Sequence, residues 1–336
     1  MKGPFENSLV QSLVEYDLVL VDEAQDLNDA NHVFLRECVV PYYSKSVLCA
    51  VGDPAQAIYQ FRGAHPDSLS KLRSMFQDKS LSLTCCFRCP RRVVFVASHL
   101  YPSIQPAPMA PLGLVHMCKS KERQCNVWGL LEQTVSAFPE DETVLFVTRN
   151  NRCILDLVKY LYFHPESPLC DRGAIRWAAP AICQQLQMAY NSSHSVSLEQ
   201  FMAAPHDDVH RPLEGAVLLI VSHAVEVEGG SVLVEASRFL AFVRMLLTEP
   251  NKKCALTLAT IHGSKGAEHH HVILYQYNLI GGYGPRDDEQ QERNLLYIAV
   301  TRARLSLTFL MHNQTEHVQS TLLPPHIISV SRTLMA

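Results

Sequence analysis

Two adjacent carboxylates, Asp22 and Glu23, follow a short apolar run in the segment VDEAQD. Residues 16–22 fit a buried strand, and open α/β sheets bind ligands at the carboxyl ends of parallel strands. At such a place Asp22 can hold Mg²⁺ directly or through water, and Glu23 can orient and deprotonate an attacking water. The alternative is that both acids only favour the N-terminus of the following helix. The segment therefore predicts either a metal-assisted hydrolytic site or a helix start.

Polar and aromatic residues follow the next apolar run, in the segment GDPAQAIYQFRGA. Gly52 permits a tight turn, and the Gln56 amide can hydrogen-bond a phosphate or the attacking water. Tyr59 and Phe61, with Arg62 beside them, suit a stacking surface for a nucleobase. The alternative is that the two aromatic rings pack in the core. The segment predicts a contact with a nucleotide or with single-stranded nucleic acid.

Short apolar runs alternate with helix-like segments along most of the chain. Strands are predicted at 16–22, 46–53, 81–84, 113–118, 143–149, 216–222, 254–263, 270–276 and 305–311. Helices are predicted at 28–40, 66–76, 122–138, 151–163, 179–190, 197–204, 235–248 and 289–301, with another after Pro90. The proline-rich stretch 101–113 suits a linker, because proline breaks helices and central strands. This alternation argues for an α/β fold built on a parallel, doubly wound sheet.

VDEAQD and GDPAQAIYQFRGA, in this order at the ends of neighbouring strands, resemble motifs II and III of the UvrD/Rep/PcrA-type superfamily 1A DNA helicases. Later segments are similar to the family's other motifs: LTCCFRCP to motif IV, LATIHGSKGAEHHHVIL to motif V and ERNLLYIAVTRARLSL to motif VI. Two positions depart from the pattern, since Cys89 stands where serine is common and Ala267 where leucine is usual. The short stretch before motif V resembles the F-box-type DNA helicases and their viral relatives.

The resemblance implies a RecA-like P-loop NTPase motor that hydrolyses ATP, with Mg²⁺, in the cleft between two RecA-like domains. It assigns Arg88 and Arg302 to the γ-phosphate, where cationic donors stabilise transition-state charge. It assigns Glu268 to a ribose hydroxyl of the nucleotide. These assignments predict that hydrolysis occurs only when the cleft is closed.

The resemblance also implies contacts with single-stranded DNA. Thr260 and His262 would contact its phosphates, which fixes the position of the strand without reading its sequence. Lys265 matches a third DNA-contacting position in motif V. The aromatic surface of motif III would then stack on the bases.

The sequence contains no G-x-x-x-x-G-K-[ST] segment, the Walker A loop with which P-loop NTPases hold the β- and γ-phosphates. The family places that loop before VDEAQD, so the resemblance predicts an incomplete first RecA-like domain. The predicted division is the C-terminal part of domain 1A at 1–103, domain 2A at 104–163 and 251–336, and a reduced 2B-like insertion at 164–250.

An incomplete first domain has a consequence for folding. Strands at 16–21 and 46–51 are apolar enough to be buried on both faces. Without their partner strands they would expose edges and apolar surface. The first hundred residues are therefore expected to fold poorly on their own, or to pair with a separate polypeptide that carries a Walker A loop.

Composition and charge limit which other kinds of protein this chain could be. A net charge of −4 argues against nucleic-acid binding through bulk positive charge, but it is compatible with a narrow groove that has local basic groups. There is neither an apolar run long enough for a membrane span nor a signal peptide, which predicts a soluble intracellular protein in the nucleus or wherever its DNA lies. Cys85, Cys86 and Cys89 have no second cysteine pair at zinc spacing, and residues 269–271 alternate along a strand. Free thiols are thus predicted, and no metal at the histidines.

The leading prediction is an ATP-dependent DNA helicase or single-stranded DNA translocase, 3′→5′ by resemblance, serving DNA repair or replication. The alternative is a non-catalytic helicase remnant that binds single-stranded DNA or a partner subunit without ATP turnover. A small-molecule NTP-binding enzyme on the same sheet would leave the QFRGA and TIHGSKG segments unexplained.

Overall fold

The computed structural model divides into two compact units, Met1–Leu83 and Thr84–Ala336. It describes residues 17–39, 47–76, 80–119, 127–171, 175–179, 232–247, 255–277, 280, 289–311 and 322–328. The strand predicted at 216–222 and the helices predicted at 179–190 and 197–204 lie outside these residues, apart from residue 179. None of the described helices is both long and apolar enough to cross a membrane.

The first unit is built on two parallel strands. Strand β1 (Leu18–Val21) pairs in register with β2 (Val47–Ala50), and the chain also forms helices α1 (Asp29–Phe34) and α2 (Ser68–Phe76). The α1 helix starts at a reciprocal cap in which Asn28 and Asn31 each accept the other's backbone N–H. Its end continues as a π-helical turn over Leu35–Val39.

The strands of the first unit are poorly covered by the described residues. Leu18, Val47 and Val51 are exposed, and Leu20 keeps 69% of its surface accessible. The buried apolar cluster of this unit is small and centres on Ala24, Leu35 and Leu72. Exposed apolar strands of this kind are what the sequence predicts for a sheet without its full set of partners.

The prediction of a strand at 81–84 is wrong, because those residues form no strand and are exposed. A short strand lies directly after them: β3 (Cys85–Cys86) pairs in parallel with β4 (Gln105–Pro106) inside the proline-rich stretch. The apolar run at 81–84 is misleading because a strand needs a neighbouring strand with which to pair. Here that pairing begins at Cys85. Helix α3 (Arg91–Leu100) follows Pro90 as predicted.

The second unit contains a six-stranded sheet in which all pairings are parallel. Its strands, in chain order, are β5 (Leu114–Lys119), β6 (Val144–Thr148), β7 (Ile175–Trp177), β8 (Leu256–Thr260), β9 (His269–Tyr275) and β10 (Ala303–Met311). Their order across the sheet is β5-β10-β9-β6-β8-β7. The α/β class predicted from the alternation of strands and helices is confirmed.

Helices connect these parallel strands. They are α4 (Val127–Ser136), α5 (Asn151–Phe163), α6 (Pro168–Asp171), α7 (Val232–Leu247) and α8 (Glu289–Val300). The α5 helix begins where Asn150 accepts the backbone N–H of Cys153. Its apolar side, which includes Leu157 and Leu161, is buried in the same cluster as strand β6.

The core of the second unit also includes parts of the predicted insertion. Strand β7 is the edge strand beside β8, and its Trp177 is buried with Phe239 and Val243 of helix α7. At the other boundary, helix α3 contacts β5, β10 and α8, so it belongs to the second unit although the predicted domain boundary is at 103/104. The division into 1A, 2A and 2B domains stays a prediction.

Candidate functional site

The two acids of VDEAQD lie at the carboxyl end of β1 and are exposed. The Asp22 Oδ1 atom accepts the Glu23 backbone N–H at 2.8 Å, and Glu23 has left-handed backbone angles (φ 50°, ψ 40°) that a residue with a side chain rarely adopts. Glu23 makes no side-chain cap bond to the short 3₁₀ turn that follows, and α1 is capped by Asn28. Glu23 thus stands directly before a helical turn without capping it through its side chain, and its left-handed backbone changes the chain direction at the end of β1.

A chain of hydrogen bonds joins the ends of β1 and β2. The Gln25 amide donates from Nε2 to the Glu23 carboxylate, and its Oε1 accepts the Asp53 backbone N–H at 2.9 Å. The Asp53 carboxylate in turn accepts from Gln56 Nε2 at 2.9 Å. A side chain at position 52 would disturb this arrangement, because a Cβ atom there would lie 2.6 Å from Gln25 Oε1 and displace the amide. Glu23 and Gln56 are thus brought together through Gln25 and Asp53.

Gln25 and Asp53 were missed as site residues by the sequence analysis. The sequence carries no clear signal for them, because Gln25 stands among acidic residues and only the structure shows that its side chain is buried. Buried polar side chains need hydrogen-bond partners, and here the partners are the two predicted catalytic segments. Gln25 is therefore best described as the residue that fixes their relative position.

The donor set at the end of β1 fits Mg²⁺ bound to a nucleotide. A magnesium ion usually keeps several waters and takes one or two carboxylates plus phosphate oxygens, and Asp22 supplies one exposed carboxylate. Among the described residues there is no group of three or more His, Cys, Asp and Glu side chains that could hold a metal by itself. Any ion at Asp22 would thus depend on the ligand's phosphates.

Tyr59, Phe61 and Arg62 form one aromatic and cationic surface. The Tyr59 and Phe61 ring centroids are 6.1 Å apart, and the Arg62 guanidinium carbon lies 5.2 Å from the first and 5.6 Å from the second. Phe61 keeps 60% of its surface accessible, so the alternative that both rings pack in the core is wrong for Phe61. An exposed ring next to a guanidinium is the arrangement on which a base can stack.

In the second unit, Arg88 and Glu268 are brought together as an ion pair. Arg88 Nε lies 2.9 Å from Glu268 Oε2, and Arg304 Nη1 lies 3.1 Å from Glu268 Oε1. Arg304 was not among the predicted residues, although it is only two positions beyond Arg302. Its side chain is 53% exposed, so the Glu268 carboxylate lies between two accessible cations.

Arg302 is placed differently from the prediction. It is 1% exposed, and its guanidinium donates to the Ile298 carbonyl at 3.0 Å, the Ala267 carbonyl at 3.2 Å and the Thr301 hydroxyl at 3.2 Å. An arginine at the C-terminal end of a helix satisfies carbonyls that the helix leaves open. In this conformation Arg302 is therefore engaged with the protein and would need to leave these acceptors to reach a phosphate.

Thr260, one of the residues assigned to DNA, lies at the opposite edge of this sheet from Glu268. Thr260 ends β8, and its hydroxyl accepts the Gly263 backbone N–H at 3.1 Å. His262 begins the short 3₁₀ turn His262–Ser264, and Lys265 follows it. Glu268 precedes the first residue of β9, so the strand registers separate it from Thr260 by roughly 23 Å along the strand direction. The structure does not bring the two groups together at one edge.

The consecutive histidines face different partners. His270 Nδ1 accepts the Thr143 backbone N–H at 3.0 Å. His271 is buried between the Ser306 hydroxyl at 2.7 Å and the Glu142 carboxylate at 2.5 Å. The two rings thus serve to join β9 to the residues before β6 and to β10.

Two family models match the chain. Residues 6–77 match the UvrD/REP helicase N-terminal domain, and residues 255–310 match the UvrD-like helicase C-terminal domain. The first range contains motifs II and III, and the second contains motifs V and VI. The order of the two matches along the chain is that of the motifs.

Several relatives are similar to all or part of the chain. F-box DNA helicase protein 1 of Schizosaccharomyces pombe is 27% identical over 315 residues, covering 87% of this chain and 34% of the relative. The Gabija protein GajB of Bacillus cereus is 22% identical over 350 residues, covering 89% and 64% respectively. ATP-dependent DNA helicase UvrD1 of Mycobacterium bovis is 34% identical over 85 residues, covering 24% and 11%. The chain spans about a third of the length of the yeast relative.

Among solved structures, the C-terminal domain of a possible DNA helicase from Lactobacillus plantarum covers 70% of this chain and 96% of its own, at 12% identity and a TM-score of 0.32. That score is too low to bear on the fold. The two family models thus show that residues 6–77 and 255–310 are similar to the N-terminal and C-terminal domains of UvrD-type helicases, in the order in which the motifs occur.

Proposed function

We propose that this chain is the part of an ATP-dependent DNA helicase or single-stranded DNA translocase that carries motifs II to VI. The observation that carries the proposal is the hydrogen-bond chain from Glu23 through Gln25 and Asp53 to Gln56. It fixes a carboxylate and an amide at the ends of two parallel strands, where such sheets bind ligands. Rigid positioning of this kind is what phosphoryl transfer requires of a protein.

In the first unit, Asp22 would hold Mg²⁺ together with the nucleotide phosphates, and Glu23 positions and deprotonates the attacking water. The left-handed backbone at Glu23 and the bond from Gln25 support this role, because both restrict the direction of the carboxylate. Gln56, held by Asp53, contacts the γ-phosphate or the water.

In the second unit, Arg88 supplies positive charge to the γ-phosphate and Glu268 accepts a ribose hydroxyl. The Arg88–Glu268 ion pair supports two positions for the Arg88 guanidinium. It pairs with Glu268 when no nucleotide is bound, and a bound triphosphate would compete with Glu268 for it. Arg302 joins the nucleotide only after it exchanges its protein acceptors for phosphate oxygens.

Single-stranded DNA is the proposed polymer partner. The exposed Phe61 ring, with Tyr59 and Arg62 around it, stacks on bases. Thr260, at the carboxyl end of β8, and His262 and Lys265, which follow it in the chain, contact phosphates. By resemblance the protein moves along the single strand in the 3′→5′ direction, and it acts in DNA repair or replication.

A segment with a Walker A loop, on the same or a separate polypeptide, is the second proposed partner. The sequence printed here has no G-x-x-x-x-G-K-[ST] element, which such motors use for the β- and γ-phosphates. The exposed apolar side chains of β1 and β2 support the proposal, because added parallel strands would bury them.

The test is DNA-stimulated ATP hydrolysis, measured for the chain alone and with a polypeptide that supplies the Walker A segment. Glu23→Gln keeps the size of the side chain and its bond to Gln25 but removes the base, which should lower the hydrolysis rate about 10²- to 10⁴-fold. Binding of a labelled single-stranded oligonucleotide should be unchanged in that variant. Equal hydrolysis by Glu23→Gln and the parent chain would contradict the assignment of the base.

The second candidate is a non-catalytic module that binds single-stranded DNA without ATP turnover. It is favoured by the burial of Arg302 among protein acceptors and by the lack of a Walker A segment in the sequence. Oligonucleotide binding without hydrolysis, both for the chain alone and with the Walker A polypeptide, would support it.

If the protein is active, its direction of movement is tested by comparing the unwinding of a 3′-tailed duplex with that of a 5′-tailed duplex.

A further inference from the structure

Cys86 and Cys89 form a Cys-x-x-Cys pair between strand β3 and helix α3. The Cys86 sulfur accepts the Cys89 backbone N–H at 3.5 Å, and the Cys89 thiol is also a hydrogen-bond partner of Cys86. Cys89 is 1% exposed, while Cys86 is half-buried and Cys85 is exposed. All three thiols are free in this structure. The pair thus combines one accessible sulfur with one buried sulfur beside it.

The surroundings make the two sulfurs chemically unequal. The hydrogen bond from Cys89 lowers the pKa of Cys86 to about 6, with smaller contributions from the backbone N–H groups of Cys89 and Arg88 and from the Arg88 charge; partial burial opposes the shift. The same hydrogen bond and burial raise the pKa of Cys89. A thiolate is the nucleophile in thiol–disulfide exchange, so Cys86 is the attacking sulfur.

We propose that Cys86 and Cys89 are a reversible redox pair, which forms an intramolecular disulfide by exchange with a small-molecule disulfide such as oxidised glutathione. The Cys86 thiolate attacks one glutathione sulfur, forms a mixed disulfide and releases one glutathione thiolate. Cys89 then loses its proton to that thiolate or to solvent and attacks the Cys86 sulfur. The second glutathione leaves, so that two protein thiols are oxidised and one glutathione disulfide is reduced to two thiols.

Disulfide formation would break a contact next to the candidate site. The Cys89 sulfur lies 3.4 Å from the carbonyl of Thr301, directly before Arg302, and its one hydrogen can be donated either to this carbonyl or to the Cys86 sulfur. Arg88 lies between the two cysteines in the sequence. A Cys89 sulfur bonded to Cys86 has no hydrogen to donate, so the Thr301 carbonyl loses that partner. The consequence for ATP hydrolysis rests on the proposed function, whereas the disulfide itself does not.

The test equilibrates the full chain in mixtures of reduced and oxidised glutathione, blocks free thiols at acid pH and maps the tryptic peptides. Cleavage after Arg88 separates Cys86 from Cys89, so the disulfide links the peptide 80–88 to the peptide 89–91. The linked pair should appear in mixtures that leave Cys153 reduced, because burial raises the pKa of that thiol to about 11. Cys85→Ser should retain the linked pair, and Cys86→Ser should abolish it.

Cys89→Ser is the matched control for the contact with Thr301. A hydroxyl can donate to the same carbonyl but cannot form a disulfide. Amide hydrogen exchange at Thr301 and Arg302 should therefore speed up on oxidation of the parent chain and stay unchanged in Cys89→Ser. A stable glutathione adduct at Cys86 without the linked peptides, or a linkage that survives Cys86→Ser, would overturn the proposal.

Discussion

Replacing Arg302 with methionine tests whether this arginine is structural in the nucleotide-free state. Methionine has a similar length but cannot donate, so the buried carbonyl of Ile298 and the partly buried carbonyl of Ala267 would lose a charged donor. Each such bond contributes about 1.5–3 kcal/mol, which gives a loss of about 3–6 kcal/mol in the free energy of unfolding of the second unit. With a urea dependence of about 3 kcal/mol per molar, the midpoint should fall by about 1–2 M.

Tryptophan fluorescence during urea unfolding is a suitable assay. The chain has two tryptophans, Trp128 and Trp177, and both pack in the core of the second unit, so the signal reports that unit. Arg304→Met is the matched control, because that side chain is largely exposed and its loss should cost less than about 1 kcal/mol. If Arg302→Met and Arg304→Met unfold at the same midpoint, Arg302 does not stabilise the unit through these bonds, and the reasoning fails.

Three further predictions concern single side chains. Alkylation of Cys86 by iodoacetamide should rise with pH around a midpoint near 6, since the bond from Cys89 holds its pKa there; Cys85→Ser should leave the profile unchanged. Phe61→Ala should weaken binding of a labelled single-stranded oligonucleotide about 5- to 150-fold, equivalent to about 1–3 kcal/mol for one lost stacking contact. Glu268→Gln removes the carboxylate between two arginines, which should tighten binding of inorganic tripolyphosphate about fivefold. An equal gain for ATP would argue against the contact between Glu268 and ribose.

The sequence was most informative where local chemistry decides the structure. Helix α5 was predicted at its observed bounds, because an apolar face with helical periodicity follows the Asn150 cap. Strand β6, whose five residues are all buried, was predicted within one residue at each end. The positions of Asp22, Glu23 and Gln56 at the ends of strands also followed from the pattern of apolar runs, since a strand carries its next residues to the sheet edge.

Tertiary contacts account for most of what the sequence did not predict. The roles of Gln25 and Arg304 depend on partners that lie 28 and 36 positions away in the chain. The burial of Arg302 depends on the Ala267 carbonyl from another element. Such pairings are set by which strands become neighbours, and no local pattern of residue types encodes that order.

Strands β1 and β6 show the limit of inferring burial from composition. Their sequences, LVLV and VLFVT, are similarly apolar, yet β6 is fully buried while Leu18 and Leu20 of β1 are exposed. The difference lies in the neighbours: β6 pairs with β8 and β9, whereas among the described residues β1 pairs with β2 alone. Apolar composition therefore reports the burial that a strand requires, and the neighbouring strands determine whether it is achieved. For β1, the unmet requirement supports the proposal that a further strand-bearing segment completes this sheet.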